Sequence, residues 1–200
     1  MAKASEALLT EAGPLEALGA VVAKAGSGRP PIHLWNPPFC GEIDMRIARD
    51  GTWFYQGTPI GRPAMVRLFA SVLRREDDRH VLVTPVEKVG IKVEDAPFVA
   101  VELAVGLEVG HPILRLRTNV DDWVTVDADH PLRFEPGAAE GMKPYVLVRD
   151  DLWALVSRAL FYDLVERGEV RQCEGLEMFG VASSGSFFPM APANAIGFNA

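Results

Sequence analysis

The stretch Glu42-Ile43-Asp44-Met45-Arg46-Ile47-Ala48-Arg49-Asp50-Gly51-Thr52-Trp53-Phe54-Tyr55 decides how the chain is read. Ile43, Met45 and Ile47 alternate with Asp44, Arg46 and Ala48, the two-residue period of a strand with one apolar face. Asp50-Gly51 then supplies the positive-φ chemistry of a tight turn ahead of the aromatic run 53–55. A β-hairpin is predicted here, at the start of an α+β domain of mostly antiparallel strands.

Downstream, Pro63 suits a first helical turn, and Met65, Leu68, Phe69, Val72 and Leu73 form one apolar stripe opposite Arg67, Ser71, Arg74 and Arg75. Beyond Asp77-Asp78 the apolar runs 80–83, 89–93 and 98–105 predict three further strands. The same order then returns. Arg46-Ile47, Trp53 and Pro59-Ile60 have counterparts in Arg115-Leu116, Trp123 and Pro131-Leu132. A helix carrying Leu152, Trp153, Val156, Leu160, Leu164 and Val165 is expected between an Asp150/Asp151 N-cap and Gly168. Gly90 is matched by Gly180, and Phe98 by Phe188, with a Gly- and Pro-rich insertion within 133–145 as the difference in spacing. Hairpin-helix-sheet order is common enough to arise by chance, but order, turn placement and the two glycines favour a duplication. The expected organisation is a helical amino-terminal segment and linker (1–28), a first α+β repeat (29–106) and a second (107–200).

The 200 residues are 48% hydrophobic and 24% charged, enough to bury a core. A net charge of −7 argues against nucleic acid or an anionic membrane as the main partner. The two cysteines, Cys40 and Cys173, match no metal spacing, and Cys40 is expected to be a buried thiol. No run reaches the roughly 18 apolar residues of a membrane-spanning helix. Glu6, Glu11 and Glu16 stand where a secretory signal needs apolar residues, so a cytoplasmic protein is expected.

Neither G-x-x-x-x-G-K-[ST] nor G-x-G-x-x-G occurs, which argues against nucleotide hydrolysis of the familiar kinds. His33, His80, His111 and His130 are scattered singly, so neither a metal nor a cofactor is expected. There is no G-x-S-x-G elbow, and Ser183-Ser184-Gly185-Ser186 reads as a loop.

Chemistry-bearing candidates lie mainly in the first repeat. In the shaped loop 33–42, either Trp35 and Phe39 plug the core or Trp35 and Asn36 line a pocket. Glu42, Asp44 and Arg46 share one strand face, as a ligand-facing row or a solvated surface. Tyr55 offers a stacking face. Arg46, Arg62 and Lys88 offer charge to a phosphate. Glu87 and Lys88 sit beside a turn, where the favoured reading is a solvated surface and the alternative is a binding position, with Glu87 free to pair with Lys88 or Arg62.

Three stretches together carry a family resemblance: 34–47, beginning Leu34-Trp35-Asn36-Pro37-Pro38-Phe39-Cys40-Gly41-Glu42; then Asp50-Gly51-Thr52-Trp53-Phe54-Tyr55 through Pro59-Ile60; then Pro85-Val86-Glu87-Lys88-Val89 with Val93-Glu94-Asp95-Ala96-Pro97-Phe98. From about Pro31 onward the chain resembles the bacterial domain-of-unknown-function family 1285. That resemblance implies a duplicated α+β core whose carboxy-terminal half is loosely pleckstrin-homology-like. It also implies a small-ligand site of nucleotide type at the interface of the repeats and a role in signal transduction. It implies no catalytic residue.

The leading expectation is therefore a non-enzymatic binder of a small molecule, with Trp35, Asn36, Asp44, Arg46, Tyr55, Arg62, Glu87 and Lys88 at the site. An acid-base enzyme using Glu42, Asp44 or Glu87 requires those carboxylates to converge in one cleft. A protein-interaction module requires an exposed apolar patch around Phe187-Phe188-Pro189-Met190.

Overall fold

The computed structural model describes residues 29–137 and 141–196; the expected amino-terminal helices lie outside them. The chain forms two units that divide between Glu94 and Asp95.

In the first unit, β1 (Phe39–Ile47) and β2 (Trp53–Tyr55) make the predicted hairpin, with Ile47 opposite Trp53 and Met45 opposite Tyr55. Gly51 takes φ +84°, and the Thr52 amide donates to Asp50 Oδ1 at 2.9 Å, so the Asp-Gly pair does what its chemistry allows. There follow β3 (Thr58–Pro59), α1 (Pro63–Ser71), β4 (Leu73–Glu76), β5 (Arg79–Val83) and β6 (Lys88–Val93). The sheet order is β3-β2-β1-β6-β5-β4, antiparallel except where β1 and β6 run parallel at its centre. Met45, Ile47, Trp53, Phe69, Leu73 and Leu82 are buried together in the core, and the Trp53 ring stacks on Phe69 at 6.1 Å.

The helix is shorter than its apolar stripe predicts. Leu73 to Glu76 leave the helical ladder to pair with β5, Leu73 opposite Leu82 and Glu76 opposite Arg79. Tertiary hydrogen bonding overrides the local period here.

The second unit contains β7 (Phe98–Glu108), β8 (His111–Thr118), β9 (Trp123–Thr125), β10 (Leu132–Pro136), β11 (Met142–Arg149), β12 (Leu152–Val156), α2 (Arg158–Glu166), β13 (Glu169–Cys173), β14 (Leu176–Ser183) and β15 (Ser186–Pro192). Strands β7 to β12 form a six-stranded sheet ordered β10-β11-β12-β7-β8-β9, and β13-β14-β15 form a second, smaller one. β7 and β12 run parallel. Traversed from β9, this larger sheet has the topology of the first unit's sheet: two three-stranded meanders joined through a parallel pairing of the first and sixth strands. Among the described residues the fold is α+β, mostly strand with two α-helices, and the six-stranded sheet is duplicated.

The register of that duplication differs from the one expected. β7 through β12 correspond to β1 through β6, so Phe98 opens the second copy rather than closing the first, and the boundary at 106/107 moves to Glu94/Asp95. Gly90 lies in β6, whose counterpart is β12, whereas Gly180 lies in β14 of the additional sheet. The glycines also differ in use. The Glu42 carboxylate occupies the space of a Cβ at Gly90, and the Phe188 carbonyl that at Gly180.

The two tryptophans matched because loops 48–52 and 118–122 close alike. Ala48 and Thr118 each donate across the loop at 2.9 Å, to Thr52 and Asp122 respectively. Yet Trp53 is 1% exposed and Trp123 is 49% exposed, on the opposite kind of face.

Two further expectations are corrected. Leu152 to Val156 are strand, because Asp150 and Asp151, at φ +42° and +59°, form the two-residue turn of the β11–β12 hairpin and cap nothing. The N-cap of α2 is Ser157. Segment 133–145 is mainly β10 and β11 rather than a loop insertion.

The unequal tryptophans give a test. Trp53→Ala should cost about 3–5 kcal/mol in urea unfolding, and Trp123→Ala no more than about 1 kcal/mol; equal losses would contradict the unequal burial of the two rings.

Candidate functional site

The sequence-predicted residues do not gather into one pocket. The Arg46 guanidinium lies 2.6 Å from Glu94 Oε1 and 4.1 Å over the Phe54 ring, and with the Arg49 amide it holds the Glu94 carboxyl below its ordinary value. Asp44, Asn36, Arg62 and Glu42 are exposed, and Tyr55 is half-buried. Glu87 belongs to the turn closed by its own amide and carbonyl on Thr84 Oγ1. Glu42, Asp44 and Glu87 are thus not enclosed together, as acid-base chemistry would require.

Trp35 and Lys88 are linked through a different pair. Lys88 Nζ donates to Glu76 Oε2 at 2.7 Å, instead of pairing with Glu87, and the other Glu76 oxygen takes the Arg74 guanidinium. Arg74 in turn donates to the carbonyls of Ile32 and Trp35 at 2.9 and 2.8 Å. This chain fastens the loop ahead of β1 to β4. Burial pushes the Glu76 carboxyl up, but the hydrogen bonds from Lys88 and Arg74 outweigh it and hold the group below its ordinary value. Phe39 does not plug the core: it is 42% exposed, with Arg79 5.3 Å over its ring. Cys40 is exposed as well. Phe39, Lys88, Arg79, Glu76 and the turn residues Asp77 and Asp78 border an open recess of about 340 Å³.

A more enclosed cavity, of about 470 Å³, lies in the second unit. Its floor is the start of β11 (Met142, Lys143, Pro144) with Leu155 and Val156 of β12, and its wall is the first half of α2 (Arg158, Phe161, Tyr162). The local sequence builds it simply. Leu152, Ala154 and Val156 alternate inward on β12, which leaves Leu155 on the other face. Leu160 and Leu164 anchor α2, so Arg158, Phe161 and Tyr162 are turned off the core.

Two cations border this cavity and differ in what holds them. Lys143 Nζ donates to Asp95 Oδ2 at 2.6 Å, and Tyr145 Oη donates to Asp95 Oδ1 at 2.6 Å. The Asp95 side chain is 8% exposed. Burial, then the hydrogen bond to Asp95 and its charge, raise the Tyr145 pKa, which keeps the phenol a donor. Arg158 Nε donates to Tyr162 Oη at 2.9 Å, one turn along the helix, and among the described residues its guanidinium has no carboxylate partner. Sequence reading missed this site because Arg158, Phe161 and Tyr162 fell in the wrong half of a helix drawn too long. Among the described residues no group of His, Cys, Asp and Glu is arranged for a metal, and no helix is long and apolar enough to cross a membrane.

Residues 30–96 match the family described as "Domain of unknown function (DUF1285), N-terminal domain", and residues 97–190 match "Protein of unknown function (DUF1285), C-terminal domain". Their junction falls within two residues of the division seen in the structure. A crystal structure of a DUF1285 family protein from Silicibacter pomeroyi DSS-3 is 51% identical, covering 90% of this chain and 97% of that one at a TM-score of 0.81. Another, from Shewanella baltica OS155, is 29% identical, covering 62% of this chain and 91% of that one at a TM-score of 0.50. No curated protein matches the chain.

The Glu76 link is testable by pH. Its stabilisation is present above the ordinary carboxylate value of 4.5 and is lost as pH falls through the lower folded value. Glu76→Gln should lower stability by about 1–3 kcal/mol at pH 7 and flatten the acid-side decline in urea midpoint. A wild-type decline no steeper than the variant's would refute this.

Proposed function

We propose, from the premise that this chain belongs to the DUF1285 family, that it binds a small anionic molecule with a flat apolar body, of nucleotide type, in the cavity between β11, β12 and α2. The observation that carries this is the meeting of an aromatic wall, Phe161 and Tyr162, with an Arg158 guanidinium that no described carboxylate neutralises. A volume of about 470 Å³ suits a small ligand. An aromatic ring can lie against Phe161 or Tyr162, and a phosphate or carboxylate can take charge-assisted hydrogen bonds from Arg158 and Lys143.

In this reading the carboxy-terminal half is a loosely pleckstrin-homology-like scaffold, two sheets and a helix that hold a ligand and catalyse nothing. Its output is signal transduction. The free thiols of Cys40 and Cys173 suit a reducing, cytoplasmic compartment.

Adenosine and guanosine mono-, di- and triphosphates, with benzoate and salicylate beside them, form the test panel for thermal shift and calorimetry at physiological salt. At least one nucleotide should stabilise the protein. Arg158→Ala should weaken its binding roughly tenfold or more, and Phe161→Ala by a similar factor without lowering the unfolding temperature of the free protein as much as a core truncation. Binding of the aromatic carboxylates alone would remove the nucleotide assignment, and binding of none would remove the proposal.

A further inference from the structure

β7 runs from Phe98 to Glu108, but only its first residues have a strand on either side. Phe98, Val99 and Ala100 pair with Ala154, Leu155 and Val156 of β12. The Ser157 amide then donates to the Ala100 carbonyl at 3.1 Å, and the chain leaves the sheet for α2. Over 101–108, β7 keeps β8 on one side and, among the described residues, has no strand on the other.

The outer edge of β8 is handled differently. It pairs with β9 at 115–117. Toward the hairpin tip, the Leu114 carbonyl accepts from the Val126 amide and the Pro112 carbonyl from the Ser184 amide, both at 2.8 Å. The Leu114 amide donates to Ser183 Oγ at 3.0 Å, and that buried hydroxyl donates onward to the Val126 carbonyl at 2.6 Å. One edge of the hairpin is closed almost to its end while the other is left open.

Open edges are ordinarily blunted by lysine, proline or bulges, because a row of unpaired amides and carbonyls templates another strand. Between Glu102 and Glu108 this edge has no lysine, no proline and no register shift. Val105 and Leu107 are 52% and 81% exposed. Residues 187–190, where an apolar patch was expected, lie in β15, with Phe188 buried, Phe187 and Met190 half-buried and Pro189 exposed.

We propose that this edge is the interface between two copies of the chain, β7 pairing antiparallel with β7 of the second copy about a two-fold axis at Gly106. The axis position follows from the side chains. It sets Val105 against Leu107 of the other copy on one face and Ala104 against Glu108 on the other. Arg115 stands opposite Ala104 within its own hairpin, so it reaches Glu108 of the second copy across a single methyl group. Neither Arg115 nor Glu108 has an ion-pair partner among the described residues, whereas neighbouring Arg117 is held by Glu102 and Asp121 at 2.6 and 2.8 Å. Gly106 has open space around it and brings no side chain to the axis. Ala104, Gly106, Glu108, Ile113 and Arg115 also line a hollow of about 450 Å³ on this hairpin, which the second copy would cover. The contact is isologous, so each charge pair is made twice.

Sedimentation equilibrium of the full chain across micromolar concentrations tests this, with circular dichroism confirming that each exposed-site variant is folded. Wild type should dimerise. Arg115→Glu and Glu108→Arg should each raise the dimer dissociation constant roughly tenfold or more, since each places like charges together twice. An equimolar mixture of these two variants should recover wild-type affinity, because every Glu then faces an Arg. Leu107→Asp should leave monomer. A wild-type monomer at every concentration overturns the proposal, as does a dimer indifferent to both charge changes, or a mixture that fails to recover. Because none of these residues lines the α2 cavity, ligand binding there can succeed or fail independently.

Discussion

The parallel pairing of first and sixth strands is the constraint on which each six-stranded sheet depends. The meanders β1-β2-β3 and β4-β5-β6 are local, each closed by short turns. Without the β1–β6 seam, each is a narrow sheet with two open edges, too small to bury an apolar face. Parallel neighbours cannot be joined by a tight turn, so the chain must travel from β1 through the whole unit before β6 can return beside it. In the first unit the seam runs from Phe39 opposite Lys88 to Ile47 opposite Val93, with two register shifts. Gly41, at φ +100°, lies within one of them, and Gly90 leaves room for the Glu42 carboxylate over the seam.

The second unit repeats the seam but truncates it, and both of its unusual features follow from that. β12 stays beside β7 only as far as Val156 opposite Ala100. By leaving there, the chain delivers Arg158, Phe161 and Tyr162 on α2 above the floor made by β11 and β12. The same departure strips the neighbour from the remainder of β7. The additional sheet then closes the far side of the hairpin through Ser183 and Ser184, not the side that β12 vacated.

What was legible in the sequence tracks how local its cause is. The β1–β2 hairpin needed only alternation and an Asp-Gly turn, and both lie within a few residues. The duplication was legible as an event but not in its register, because the 48–52 and 118–122 loops share backbone hydrogen bonds although the first joins strands one and two of its sheet and the second joins strands two and three. Trp53 reaches Phe69 and Trp123 reaches solvent, a difference no spacing records. Both helices are shorter than their apolar stripes predict, for the same reason. Leu73 and Leu152 continue a helical stripe on paper, but each gains a strand ladder from a partner that period alone does not reveal. The α2 cavity was invisible because its lining comes from three elements whose association is set by the β7–β12 seam.

The electrostatics of that cavity separate its two cations. Asp95 is nearly buried and already accepts from Lys143 and Tyr145 at 2.6 Å. Freeing Lys143 for another anion would leave a buried carboxylate with one fewer donor, and such losses are costly. Lys143 therefore brings a largely offset charge. Among the described residues Arg158 is held by Tyr162, through Nε on the hydroxyl and with the guanidinium 5.6 Å over the ring, which orients the guanidinium without a carboxylate to neutralise it. In a chain of net charge −7, long-range attraction does not favour anions. Selectivity for one at this place has to come from short-range geometry, the planar donors of Arg158 beside the Phe161 and Tyr162 rings.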